Sequence, residues 1–165
     1  MSEEQTNHVR PSWDEYFMNL IALIGERGTC DRGRSGCVVV RDKRIVATGY
    51  VGSPPGTAHC DDEGHIIHEV INDDGTVSKH CVRTIHAEQN AICQAAKNGI
   101  SLDGCTIYVK MEPCYVCARM LVAVGIKRVV CLKHYHGAKL TRELFEQANV
   151  QLDVIENVME TYKDM

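Results

Sequence analysis

Two short stretches hold residues whose types and spacing can do chemistry. In "RTIHAEQNAI" His86 stands two positions before Glu88, and in "MEPCYVCARM" Cys114 stands three before Cys117. An imidazole and two thiolates are ordinary donors for zinc. Three protein donors leave a fourth position open for water, whereas a purely structural zinc is closed by four. Glu88, just inside an expected helix start at His86, can face that open position and carry protons instead of binding the metal. Pro113 is expected at the first position of a second helix, which puts Cys114 and Cys117 on one face of its opening turn. The positive end of that helix favours the thiolate form that zinc needs.

A second set of donors is more scattered. "GTC" brings Cys30, "AHCDDEGH" brings Cys60 and His65, and "SKHCV" brings His80 and Cys81. Four such groups would make a closed tetrahedral site and fasten the long polar segment from Gly52 to about Lys79, which is too long for an ordinary connection. His59, His68 and His80 compete for the fourth place. Adjacent residues ligate one ion poorly, so one of His80 and Cys81 is expected to face elsewhere. Cys37, Cys93, Cys105 and Cys131 sit singly in apolar stretches and are expected to be small core residues.

The elements that must position these groups can be read from periodicity. Ser12 caps a run with Trp13, Tyr16, Phe17, Leu20, Ile21 and Ile24 at helical spacing, closing at Gly28. "GCVVVRD" and "RIVATGYV" read as a hairpin around Asp42 and Lys43, in a charged turn of solvated residues. Beyond the long segment, helices are expected over about His86 to Lys97, Cys114 to Val124 and Lys139 to Ala148. They alternate with strands "CTIYVK", "RVVCLK" and "VQLDVI", and a short terminal helix follows. This alternation predicts the α/β class, with a largely parallel sheet covered on both faces and made mixed by the hairpin. Both helix starts then lie at one edge of the sheet, which lets His86 meet Cys114 and Cys117.

Composition narrows the class. A chain of 165 residues suits one domain with a real core, spanning 1–165, with 52–80 as a metal-bound insertion and 1–11 flexible. Nine cysteines and a polar, acidic start suggest a reduced, cytoplasmic chain in which Cys and His clusters mean metal before disulfides. No apolar run reaches the roughly 18 residues that crossing a bilayer needs, so no membrane partner is expected. The net charge of −4 argues against a nucleic-acid partner.

His86-Ala87-Glu88 followed by Pro113-Cys114-Tyr115-Val116-Cys117 is the H-x-E and P-C-x-x-C pattern of zinc nucleobase deaminases. "GERGTCDRG", "RIVATGYVGSPPG", "HCDDEGH", "HCVRTIHAEQNAI" and "AVGIKRVV" extend the likeness from about Trp13 to Asp153. The chain resembles the deoxycytidylate deaminases and their competence-protein relatives. That resemblance implies a cytidine-deaminase-like three-layer α/β/α sandwich with a five-stranded mixed sheet. It implies a zinc held by His86, Cys114 and Cys117, and hydrolysis of the cytosine amine with Glu88 as proton shuttle. It also implies a second, structural zinc at Cys30, Cys60, His65 and Cys81, with His80 or His68 as alternatives.

The same resemblance implies a pyrimidine nucleotide as substrate, dCTP and dTTP as effectors, and a homo-oligomer, hexamer or dimer. Candidate substrate contacts are Val51, Ala87, Arg32, Arg34, Tyr135 and His136. The family loop is usually Gly-Tyr-Asn-Gly, and this chain has Val51 at the Asn position, which cannot supply a hydrogen bond to the sugar. A shifted substrate, such as another cytosine nucleoside or nucleotide or a modified base, and a non-catalytic zinc-binding regulatory role are therefore the alternatives.

Overall fold

The computed structural model describes residues 8–71, 75 and 77–160. Most of the segment expected to be flexible, 1–7 of 1–11, lies outside them. Helix α1 (Trp13–Gly25) starts on a capping box: Ser12 Oγ accepts from the Glu15 amide at 3.2 Å, and Glu15 Oε2 accepts from the Ser12 amide at 2.7 Å. Strands β1 (Gly36–Arg41) and β2 (Arg44–Tyr50) form the hairpin, whose turn residues Asp42 and Lys43 both take positive φ, 50° and 61°.

The described residues of the long polar segment carry regular elements of their own. It holds a one-turn helix α2 (Cys60–Glu63) and a separate antiparallel ribbon, β3 (Ile67–Ile71) with β4 (Val77–Cys81). The remainder alternates as expected: α3 (Ala87–Lys97), β5 (Thr106–Met111), α4 (Tyr115–Ala123), β6 (Arg128–Tyr135), α5 (Lys139–Gln147) and β7 (Gln151–Val154). No helix follows β7 among the described residues. Instead β8 (Met159–Glu160) runs parallel to the end of β6.

The main sheet has the order β2-β1-β5-β6-β7, with β1 antiparallel to both its neighbours and β5, β6 and β7 parallel. Alternation along the strands divides the core between two faces. Val38, Val40, Tyr108 and Val130 pack under Phe17, Met18 and Ile21 of α1. Cys37, Val39, Ile107, Val109, Val129 and Cys131 pack under Ala87, Ala91 and Ala95 of α3, Ala118 and Leu121 of α4, and Phe145 of α5. The result is a three-layer sandwich with one helix on one face and three on the other. Cys93 is exposed: the buried face of α3 runs through Ala87, Ala91 and Ala95, and Cys93 falls on the opposite side. Three other cysteines read as core residues, Cys37, Cys105 and Cys131, are fully buried.

Candidate active site

The two signature stretches meet because each ends a connection at the same sheet edge. A bridge between Gly52 and Ile85 delivers the chain to the start of α3, and β5 delivers it to the start of α4. His86 and Cys114 are the N-cap residues of these helices, both in extended backbone conformation. The proline therefore precedes the cap instead of occupying the first helical position. Cys114 must be extended for its carbonyl to accept the first helical bond, from the Ala118 amide at 2.9 Å.

His86 Nδ1 lies 3.5 Å from Cys114 Sγ and 3.4 Å from Cys117 Sγ. A nitrogen and a sulfur bound to one tetrahedral zinc at ordinary bond lengths stand about 3.6 Å apart, so these donors already have the spacing of a single-ion site. The donors share protons. Hydrogen bonding from Cys117, then from His86, brings the Cys114 thiol down to about 4. The same proton, held at Cys117, raises that thiol, and its bond with Cys114 pushes His86 up to about 9.

Glu88 is 9% exposed and lies in the first turn of α3. Burial raises its carboxyl above the usual range, opposed by the His86 charge and by a hydrogen bond with Cys117. A buried carboxyl touching a three-donor cluster is placed to exchange protons beside it.

Cys30 Sγ, Cys60 Sγ, His65 and Cys81 Sγ form a second group with every donor atom within 4.8 Å of the others. Cys60 and Cys81 are 3.5 Å apart, and Cys30 is 3.7 Å from His65 Nδ1. The other ring nitrogen of His65 faces Asp31 Oδ1 at 3.1 Å, the carboxylate support that orients metal-binding imidazoles. Burial alone would raise Cys81, but hydrogen bonds from the Arg83 amide and His65 bring it down to about 7. Four donors of these types fit a closed zinc site.

His80 and His68 lie outside both groups. They face each other across the ribbon, and His80 Nε2 lies 2.8 Å from Ser78 Oγ.

The candidate substrate contacts are placed unevenly. Arg34 donates to the Gly28 carbonyl at 2.7 Å and to Asp61 at 3.0 Å, clamping the segments that carry the second group. Arg32 donates to the Lys79 carbonyl at 3.2 Å. Val51 has both backbone groups paired, with Ser35 and Thr29, and its side chain packs against the larger of the two core clusters. Ala87 is buried, with its carbonyl accepting from Cys37 Sγ at 3.1 Å. The rings of Tyr135 and His136 pack at 4.6 Å, with His136 exposed.

Glu112 escaped notice in the sequence. It is 1% exposed and accepts from Arg142 and from the Tyr135 amide at 2.8 Å, while Thr141 Oγ1 donates to the Pro113 carbonyl at 3.0 Å. The start of α5 thus holds both residues ahead of Cys114. An acid at the end of a buried strand, directly before Pro-Cys, was the available signal.

Residues 11–133 match the model of the cytidine and deoxycytidylate deaminase zinc-binding region. The ComE operon protein 2 of Bacillus subtilis (strain 168) is 43% identical over 147 residues, 89% of this chain and 73% of that protein. The deoxycytidylate deaminase of Mycobacterium phage D29 is 39% identical over 124 residues, 73% of this chain and 94% of that one. The crystal structure of dCMP deaminase from the cyanophage S-TIM5 in complex with dCMP and dUMP superposes with a TM-score of 0.69. It is 26% identical and covers 89% of this chain and 99% of that one.

Proposed function

The chain belongs to the cytidine and deoxycytidylate deaminase family, and on that premise we propose that it converts deoxycytidine monophosphate and water to deoxyuridine monophosphate and ammonia. The observation that carries this reading is Glu88, a carboxyl buried against three donors that leave one position open. A regulatory zinc module has no use for such a group. Relatives named deoxycytidylate deaminase, and a neighbour solved with dCMP and dUMP, support the nucleotide as substrate.

His86 Nδ1, Cys114 Sγ and Cys117 Sγ would hold the zinc. Zinc supplies Lewis acidity there, making water nucleophilic at neutral pH. Glu88 takes the proton of the water that attacks C4 of the pyrimidine. It returns that proton to N3, then carries the proton of the new C4 hydroxyl to the departing amine, which leaves as ammonia while C4 becomes a carbonyl. A carboxyl whose proton affinity is raised by burial is suited to both halves of that exchange.

The reading extends to a second, structural zinc at Cys30, Cys60, His65 and Cys81, supported by their four-donor geometry. The whole chain is read as one deaminase domain with 52–80 as the metal-bound insertion. A cytoplasmic setting in nucleotide metabolism, a homo-oligomer of two or six chains, and control by dCTP and dTTP follow from the family resemblance. No helix among the described residues is long and apolar enough to cross a membrane.

Ammonia release from dCMP, CMP, deoxycytidine, dCTP and 5-methyl-dCMP tests the substrate. Turnover highest on dCMP is expected, and no release from any of the five would retire the reading.

A further inference from the structure

Cys114 is the N-cap of α4, and its side chain makes no capping hydrogen bond to the helix. A serine or aspartate in that place would fix the helix start through its own oxygen. A sulfur directed at His86 and Cys117 does not. At the start of α3 a neighbour meets the need: the His86 amide donates to Gln89 Oε1 at 2.9 Å, one turn on. For Cys114 the bracing comes from outside its helix, from the end of β6 and the first turn of α5.

The bracing begins where the ladder between β5 and β6 has to stop. The Glu112 amide donates to the Lys133 carbonyl at 3.1 Å, and Pro113, without an N–H, cannot continue the pattern. The Glu112 side chain takes over as acceptor. Its Oε2 receives the Tyr135 amide at 2.8 Å and has His134 Nδ1 at 3.3 Å, and both its oxygens receive Arg142. One residue on, the Pro113 carbonyl receives Thr141 Oγ1 at 3.0 Å. Glu112, Pro113 and Thr141 are all fully buried.

We propose that Glu112 and Thr141 are positioning residues for the first donor group: gripping the peptide ahead of Cys114 from α5 and β6, they set where its sulfur stands relative to His86 and Cys117. This rests on the reading of that group as the catalytic metal site. Cys114 lies two residues beyond the clamped carboxylate and one beyond the clamped carbonyl. So short a connection carries the clamp's position to the sulfur. The separation of 3.5 Å between Cys114 Sγ and His86 Nδ1 is thus kept by contacts outside the donors themselves. Partners one step removed from metal ligands fix ligand orientation in this way, and their loss commonly weakens metal binding by about 10- to 100-fold.

The test uses the full chain loaded with cobalt(II), a tetrahedral stand-in for zinc whose absorption reports thiolate coordination. Cys114→Ser identifies the absorption and the binding step that belong to the first group. Thr141→Val and Glu112→Gln are expected to weaken that step by about tenfold in competition with a chelator, and to shift its sulfur-to-cobalt absorption. The step of the second group is expected to stay where it is, and Thr141→Ser, which keeps the hydroxyl, to match the wild type.

Unchanged affinity and absorption at the first group in both Thr141→Val and Glu112→Gln overturn the proposal. Equal weakening of both groups overturns it too, since that marks a general loss of the fold, as does a Thr141→Ser as weak as Thr141→Val. None of these readings uses deamination. A wild type that deaminates nothing, with a first group that depends on Thr141 and Glu112, refutes only the reaction. One that deaminates dCMP, with cobalt binding indifferent to both residues, refutes only the clamp.

Discussion

Glu112 and Arg142, thirty positions apart, form a two-pronged ion pair: Arg142 Nε reaches Oε1 at 2.7 Å and Nη2 reaches Oε2 at 2.6 Å. The carboxylate is fully buried and the guanidinium is not. Burial would raise Glu112, but the bonds from Arg142 and the Tyr135 amide outweigh it and hold the carboxyl below its usual range. The pair ties the residue before Pro113 to α5.

Arg142→Ala takes the guanidinium from that buried carboxylate and leaves it the Tyr135 amide and His134, 3.3 Å away, at a cost of about 3 kcal/mol. The sign with pH follows from the pairing. In the wild type the folded pKa is lowered, so its stabilisation is complete above the unfolded value and is lost as pH falls through the folded one. In the variant burial acts without the guanidinium, the folded pKa rises, and the deficit should shrink on acidification. Urea unfolding at pH 7 and pH 5 measures this, and a deficit equal at both values speaks against a buried charge that has lost its counter-ion.

Asp14 fastens α1 to the far end of the sheet. It accepts from Arg128 Nη1 at 2.9 Å and Nη2 at 2.7 Å, and from the Tyr108 hydroxyl at 2.7 Å. The Arg128 hydrogen bonds hold its carboxyl below the usual value. Its contribution is therefore present above the unfolded carboxyl pKa and fades as pH falls through the folded one. Asp14→Asn should flatten the loss of stability in this acid range. A variant that tracks the wild type throughout it would show that other carboxylates dominate.

Gly49 lets α3 approach β2, because a Cβ there would run into the carbonyl of Ala87 and the amide of Ala91. Both obstacles are backbone, so Gly49→Ala must shift the helix start that carries His86 and Glu88. A loss of about 2 kcal/mol is expected, the usual range for overpacking. It should come with weaker zinc retention at the first group on dialysis. Unchanged melting and zinc content would contradict the close approach.

The two donor groups should differ in what they support. The second group holds an exposed ribbon to the domain, so Cys60→Ser should make residues 60–81 sensitive to protease while the sheet core stays protected. Limited proteolysis with mass spectrometry reads this directly. Cleavage spread evenly over the chain would mean that the second group supports the whole fold.

What could be read from the sequence was whatever has a local cause. Ser12 and Glu15 cap α1 within one turn, Asp42 and Lys43 close a two-residue hairpin, and Pro-Cys-x-x-Cys is a helix start with donors built in. The ribbon β3–β4 could not be read, because no apolar face drives it: Ile67, Val70 and Ile71 are all exposed, and the Cys and His side chains gathered at its end come from distant positions. The Glu112–Arg142 pair depends on how β5 meets α5, which no local pattern records. Strand β8 replaced an expected helix for the same reason, since its partner is the end of β6. His80 and Cys81 are equal candidates as donors in the sequence, and only the strand's alternation separates their two directions.

The central claim is that Glu88 moves protons beside the first group without binding the metal. Ammonia release from dCMP by Glu88→Gln, measured with zinc content on the same sample, tests it most directly. Full zinc with turnover reduced by about 1,000-fold is the expected result, the scale of losing a general acid-base group. Wild-type turnover with full zinc would contradict the account.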